Sequence, residues 1–292
     1  MAKKEDILKS FVEEQEINYT APVKELSLQN EIGWIRLKVG DFPSKGLFYP
    51  EGTEVAIKAA TAAEIRHWSV LVEDDLNQVD EMLNYILERC VTVKLKEGFA
   101  TWKDLIEIDR FYVILAVREL TFKSENPIKV KISDTEDRPL IKEMISFANF
   151  DEEIMRFYSA EYRCFELKFK NGTTHYLGMP TIGVVNWLKK YVIDKQQNKL
   201  KFDEDFVGFA PFLINEWRGL TNKNYEDLVI DSHGWTLSEV SVFTKFKEKI
   251  VSSVNPQIVY NDEHGMEVRV PLNFCDGIKS LFIISNAFDE LL

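Results

Sequence analysis

The chain has 292 residues, enough for one large or two ordinary domains whose core needs no disulfide staples. Its apolar content of 45% and charged content of 29% are those of a globular protein, and its formal charge of -12 argues against a general affinity for nucleic acid, which needs clustered Lys and Arg to neutralise phosphates. Three scattered cysteines, Cys90, Cys164 and Cys275, make neither a disulfide framework nor a CxxC zinc half-site, so buried thiols in a reducing compartment are expected.

Residues 1–32 alternate charge with isolated apolar side chains, and Leu8, Phe11 and Val12 fit one face of a short helix. This segment reads as a flexible arm that orders against a partner. It is rich in Glu and has no apolar h-region, so no secretory signal is expected. No run of about 18 apolar residues occurs, so no membrane span is expected either.

Trp34, Leu37 and Val39 predict a strand that leads into DFPSKGLFYPEG, residues 41–52. Two prolines and two glycines frame Leu47, Phe48 and Tyr49 there, which rules out a helix or a central strand. Alternating Val55 and Ile57 predict a second strand. Three helices should follow. Thr61 and Glu64 form a capping box at the head of residues 61–72. Asn77 is expected to cap residues 78–91, where Val79, Met82, Leu83, Ile86, Leu87 and Cys90 share one face. Thr101 and Asp104 start residues 102–120, a helix apolar over so much of its girth that it should be the central core element.

Ile128, Val130 and Ile132 predict a strand, and residues 151–162 a helix or irregular connection. Phe165, Leu167 and Phe169, then Asn171-Gly172, then Thr174 and Tyr176 form a strong hairpin signal. Helical segments are expected near 181–198, 204–216 and 236–253, the last opened by the capping box of Thr236 and Glu239. Val259, a polar DEHG turn, and Met266, Val268 and Val270 predict a closing hairpin. Strands and helices cluster rather than alternate, which is the pattern of an α+β protein. The expected architecture is a helical core with short antiparallel strands and hairpins, with the arm 1–32 followed by two loosely separated domains, 33–150 and 151–292.

The sequence holds no GxxxxGK[ST], GxGxxG or GxSxG, and nothing pairs a cysteine with His67, His175, His233 or His264. His264 with Asp262 and Glu263 has donors for a divalent ion, but a solvated turn is the simpler reading, and neither a metal nor a cofactor is expected. Aromatic residues are abundant, at 20 Phe, 10 Tyr and 6 Trp. Aromatics beside Arg are the usual anchors of protein interfaces, which makes Trp217 and Arg218 in NEWRGL a candidate contact.

The segment FPSKGLFYPEG followed by EVAIKAATAAEI resembles the start of the baseplate hub assembly proteins of T-even-type contractile-tailed phages. Pro43, Ser44, Lys45, Gly46, Tyr49, Pro50, Gly52, Thr61 and Glu64 carry the resemblance, and ILERCV and the later helix with Asp109 and Arg118 follow in the same order. It covers about residues 40–120. Some relatives carry a paired-cysteine ribbon after the Asp/Arg helix; SENPIKVKISDTEDRP here has no cysteine, and NDEHGMEVRVPLNF would be a metal-free counterpart. The resemblance implies a non-enzymatic protein of tail baseplate hub assembly. It would act in the host cytoplasm or the virion baseplate, through contacts with other tail or baseplate proteins and with oligomerisation allowed. An unrelated cytoplasmic adaptor, or an enzyme without a linear motif, are the alternatives. On this reading Lys45, Phe48, Tyr49, Trp217 and Arg218 bind partners, with Phe48 turned outward and Leu47 or Tyr49 turned inward.

Overall fold

Val55, Ala56 and Ile57 are all fully buried, and their strand occupies the middle of a three-stranded antiparallel sheet. The computed structural model describes residues 33–282 except 97, 99, 123–127, 134–135, 141–144, 148–149 and 215. The arm expected over 1–32 lies outside the described residues. The chain divides into two units, residues 1–34 and 35–292. Only Gly33 and Trp34 of the first are described; all that follows concerns the second.

The first sheet has strands β1 (Ile35–Leu37), β2 (Glu54–Ile57) and β3 (Val91–Lys94) in that order. Helices α1 (Ala62–Ser69) and α2 (Leu76–Cys90) fill the connection between β2 and β3. The Thr61–Glu64 capping box forms, so α1 begins where the sequence places it, but it stops at Ser69 rather than at residue 72. Asp75, not Asn77, caps α2: its carboxylate accepts the Asn77 and Gln78 N–H groups at 3.0 and 3.2 Å. A carboxylate there meets both the free amides and the positive end of the helix dipole, which an amide side chain does less well.

The helix expected over 102–120 is broken. The capping box of Thr101 and Asp104 closes only one 3-10 turn, Trp102–Asp104; a second turn covers Glu107–Asp109, and helix α3 runs Arg110–Phe122. Leu105 and Ile106 between them are extended. Their backbone pairs elsewhere: Ile182 N–H donates to Leu105 O at 2.9 Å, and Glu107 N–H to Pro180 O at 2.8 Å. Hydrogen bonds to a distant segment here outweigh local helix propensity.

Strands β4 (Lys129–Lys131) and β5 (Asp137–Pro139) form a two-stranded ribbon. Strand β6 (Ile145–Phe147) joins the closing hairpin, β10 (Pro256–Asn261) and β11 (Glu267–Pro271), on its β10 side. After the short helix α4 (Glu152–Met155), strands β7 (Tyr158–Ser159), β8 (Cys164–Lys168) and β9 (Thr174–Leu177) make a third antiparallel sheet. The Asn171-Gly172 turn is as expected, with Gly172 at φ +89°. Helices α5 (Ile182–Gln197), α6 (Glu204–Leu213), α7 (Asn222–Ser232) and α8 (Leu237–Ser253) complete the α+β architecture. Helix α7 escaped the sequence reading because it is polar and only Tyr225 on it is buried.

The packing shows no break at residue 150. The main core joins Phe42, Phe48 and Trp68 to Phe165, Phe243 and Phe282. Phe165 is its clearest link: its ring lies 5.4 Å from Phe48, 6.1 Å from Phe150 and 5.0 Å from Phe246. A second cluster, including Val184, Phe206 and Tyr225, packs between α5, α6 and α7, and Trp235 lies against both clusters. The domains expected at 33–150 and 151–292 therefore share one apolar interior.

Buried carboxylate Glu239 ties the β8–β9 hairpin to α8. It completes the Thr236 capping box and also accepts the Thr173 hydroxyl at 2.6 Å. That hydroxyl, then the Thr236 amide and hydroxyl, hold its pKa well below the usual carboxylate range. Replacing Phe165 with Ala is expected to cost about 3–5 kcal/mol, as for other large core aromatics. Urea denaturation should still show one transition for residues on both sides of 150; two separate transitions would restore the domain boundary.

Candidate functional site

The resemblance residues converge on one buried carboxylate. Asp109 is fully inaccessible, at the turn where the broken helix resumes as α3. Its Oδ1 accepts the Ser44 N–H at 2.8 Å. Its Oδ2 accepts the Ser44 hydroxyl at 2.6 Å and the Tyr49 hydroxyl at 2.8 Å. The Tyr49 oxygen in turn accepts the Ile106 N–H at 3.0 Å. Residues some sixty positions apart in sequence thus close a polar clasp inside an apolar core.

The loop folds to reach Asp109 by successive tight turns. Lys45 N–H donates to Phe42 O at 2.8 Å, Leu47 N–H to Ser44 O at 3.2 Å and Tyr49 N–H to Gly46 O at 3.3 Å. Lys45 and Gly46 both take positive φ, 56° and 74°. Glycine adopts that conformation without strain, whereas Lys45 needs the surrounding bonds to hold it there.

Electrostatics favour a shut structural site. Burial is the main influence on Asp109 and pushes its pKa up to about 6, against the opposing hydrogen bonds from Ser44 and Tyr49. Burial, then the adjacent Asp109 charge, raises Tyr49 well above the usual phenol range. Neither group touches solvent enough to meet a substrate: Tyr49 is 5% exposed and Ser44 and Asp109 are not exposed at all.

The expected orientation of the loop is corrected. Phe48 does not face outward. It is buried, with its ring edge-on to Phe150 and Tyr158, both at 5.7 Å. Tyr49 is turned inward, as expected, but as the donor to Asp109 rather than as a contact residue. The prolines and glycines fix the turn without saying which side has a cavity to fill; the aromatic cluster supplied by residues 150–165 decides that. Of the five proposed contact residues Lys45 alone is exposed.

Trp217 and Arg218 are brought together, but against this chain. The Arg218 guanidinium holds Asp104 through both oxygens, at 2.8 and 2.6 Å, and Trp217 Nε1 donates to the same carboxylate at 3.0 Å. Arg218 lies 4.6 Å and Lys103 5.2 Å from the Trp217 ring centre. The ring packs on Gly183 so closely that a Cβ there would lie 2.5 Å from it. Half-buried, these side chains latch the segment before α7 to the first 3-10 turn.

A further cluster went unread in the sequence. Buried Arg110 binds the Asp80 carboxylate, the Asp80 carbonyl at 2.9 Å and Asn84 Oδ1 at 2.8 Å, while Lys189 reaches Asp80 at 2.8 Å. Burial raises Asp80, but the Arg110 charge and then Lys189 outweigh it and lower its pKa. Burial above all raises Glu107, whose Oε2 is unpartnered in the interior, as is Arg110 Nε. The signal was weak: Arg110 sits beside Asp109 in a run that reads as uniform helix.

In the closing hairpin, Asp262 Oδ1 accepts the His264 and Met266 N–H groups at 2.9 and 2.8 Å. The NDEHG turn is thus shaped by an Asp side chain bound to its own backbone. Cys90 and Cys164 are buried, but Cys275 is only half-buried, which corrects the expectation for that thiol. Among the described residues no group of three His, Cys, Asp or Glu side chains is placed to hold a metal ion, and no helix is long and apolar enough to cross a membrane.

No family model matches this chain, and neither a curated protein nor a solved structure matches it.

Tyr49→Phe removes one donor from Asp109 and the hydroxyl that accepts the Ile106 N–H, so it should cost about 1–3 kcal/mol in denaturant unfolding. A loss well under that range would show that the clasp contributes little. The pH dependence of Asp109 has a definite sign. Its pKa of about 6 in the fold exceeds the ~3.9 of an unfolded chain. Its contribution to stability is therefore fully present below about pH 4 and declines as the pH rises through 6. The stability of the wild type relative to Asp109→Asn should fall over that interval; a difference independent of pH would mean an ordinary carboxyl.

Proposed function

We propose that this chain is a non-enzymatic structural or assembly protein of the central hub of a contractile phage tail baseplate, working through protein–protein contacts. One observation carries the reading. Three polar residues of the resemblance, Ser44, Tyr49 and Asp109, are bonded to one another in the core. Thr61 and Glu64 are likewise engaged in a helix cap. Gly46 and Gly52 take the positive φ that the turns require.

A motif whose polar groups are engaged in this way describes a scaffold. Its polar groups hold a loop in place, which leaves action to the surface of the molecule. This supports a role in which rigid shape is presented to other subunits. The acidic balance of -12 suits partners with basic surfaces and discourages self-association without specificity.

The test is purification of the tagged chain from phage-infected cells under mild conditions. Tail or baseplate proteins are expected at fixed stoichiometry. A single host protein and no tail component would favour an adaptor instead, and turnover of a small molecule by the pure chain would overturn the non-enzymatic reading.

A further inference from the structure

The connection between α1 and α2, residues 70–76 (VLVEDDL), exposes three aliphatic side chains within seven positions. Val70 is 64% exposed, Val72 53% and Leu76 80%, while Leu71 between them is 1% exposed and anchors the loop in the core. Single exposed aliphatics are ordinary; a group of them on one short turn marks a contact surface.

The backbone beneath them is held from several directions. Leu71 N–H donates to Trp68 O at 3.1 Å, and Asp75 N–H closes a turn onto Val72 O at 3.2 Å. The Gln78 side chain accepts the Val72 N–H, and Asp75 caps the helix that Leu76 begins. From the far end of the chain, Lys279 N–H donates to Glu73 Oε1 at 2.7 Å. Gly277 sits at φ +69° against that carboxylate, where a Cβ would overlap it. Trp68 at the base of the loop donates to Lys279 O at 3.0 Å and packs edge-on against Phe282 at 5.1 Å. Little backbone freedom is left to lose on binding, so the aliphatic groups are preorganised.

Charge selects the occupant. Residues 69–81 contain no Lys or Arg, and Glu73, Asp74, Asp75 and Glu81 are all exposed. Asp74 has no hydrogen-bond or ion-pair partner among the described residues. A second copy docking through the same loop would set acid against acid, which is costly at an interface. A basic segment would meet both features at once, its apolar face on Val70, Val72 and Leu76 and its cations on the acidic rim.

We propose that residues 70–76 are the docking site for a Lys- or Arg-rich amphipathic segment of a partner protein, an inference that rests on the reading of the chain as an assembly protein. The partner's apolar face covers the three aliphatic groups, and its cations lie over Asp74 and Asp75.

The probe is a labelled synthetic helical peptide with one Leu face and one Lys face, compared with a Leu/Glu peptide of the same pattern. Binding to the full chain is read by fluorescence anisotropy at two salt concentrations. The Leu/Lys peptide should bind saturably and more weakly at high salt. The Val70→Ser, Val72→Ser, Leu76→Ser triple variant should bind it about tenfold less tightly or worse, while keeping the wild-type unfolding midpoint. These side chains are exposed, so the substitutions should leave the fold intact. No binding by wild type, equal binding by the triple variant, or equal binding of the Leu/Glu peptide would each overturn the proposal. So would tighter binding after removal of residues 283–292, which would make the chain's own tail the occupant, or a dimer that the triple variant abolishes. A triple variant that loses the peptide as expected but still purifies with tail proteins would overturn this loop as the partner's docking site and leave the assembly reading in place.

Discussion

Asp109 imposes a demand that much of the surrounding structure meets. A carboxyl group with no exposure to water has to be satisfied by hydrogen bonds, because burial without them costs several kcal/mol. The loop at 41–52 supplies them from the Ser44 amide, the Ser44 hydroxyl and the Tyr49 hydroxyl. To deliver these groups the loop must turn repeatedly at Lys45 and Gly46. The same turns carry Phe48 into the aromatic cluster of Phe150, Tyr158 and Phe165. Polar closure and apolar packing are two sides of one conformation.

The segment carrying Asp109 repeats this logic along its length. Within Thr101–Arg110, Asp104 receives Trp217 and Arg218, and Leu105 and Glu107 pair with the backbone around Pro180 to Ile182. Ile106 donates to Tyr49, and Arg110 reaches into α2. A continuous helix would turn most of these backbone groups onto itself. Extending at Leu105 and Ile106 frees them to join the early loop and the later helices. That single irregular segment explains why one apolar interior spans both halves.

These placements change what the loop aromatics and the Trp217–Arg218 pair mean. Read from sequence, a stiff loop presenting Leu47, Phe48 and Tyr49 suggested anchors for a partner, and Trp217 with Arg218 suggested another. In the fold these aromatic and Arg side chains bind the chain to itself. Among the exposed aliphatic groups, Val70, Val72 and Leu76 lie together on one short turn that also carries Glu73, Asp74 and Asp75.

The sequence by itself determined what depends on near neighbours. The capping boxes at Thr61 and Thr236, the Asn171-Gly172 hairpin, the closing hairpin and the α+β class all follow from spacings of a few residues. Such signals are legible because the interacting groups lie within one turn of each other. The tertiary structure alone decided what depends on distant ones. The break at Leu105, the inward face of Phe48, the Arg110–Asp80 cluster and the unbroken core across residue 150 each require a partner tens of residues away. Local pattern assigns a side chain its propensity and polarity. Which cavity it fills, and which charge it answers, is settled only when the rest of the chain arrives.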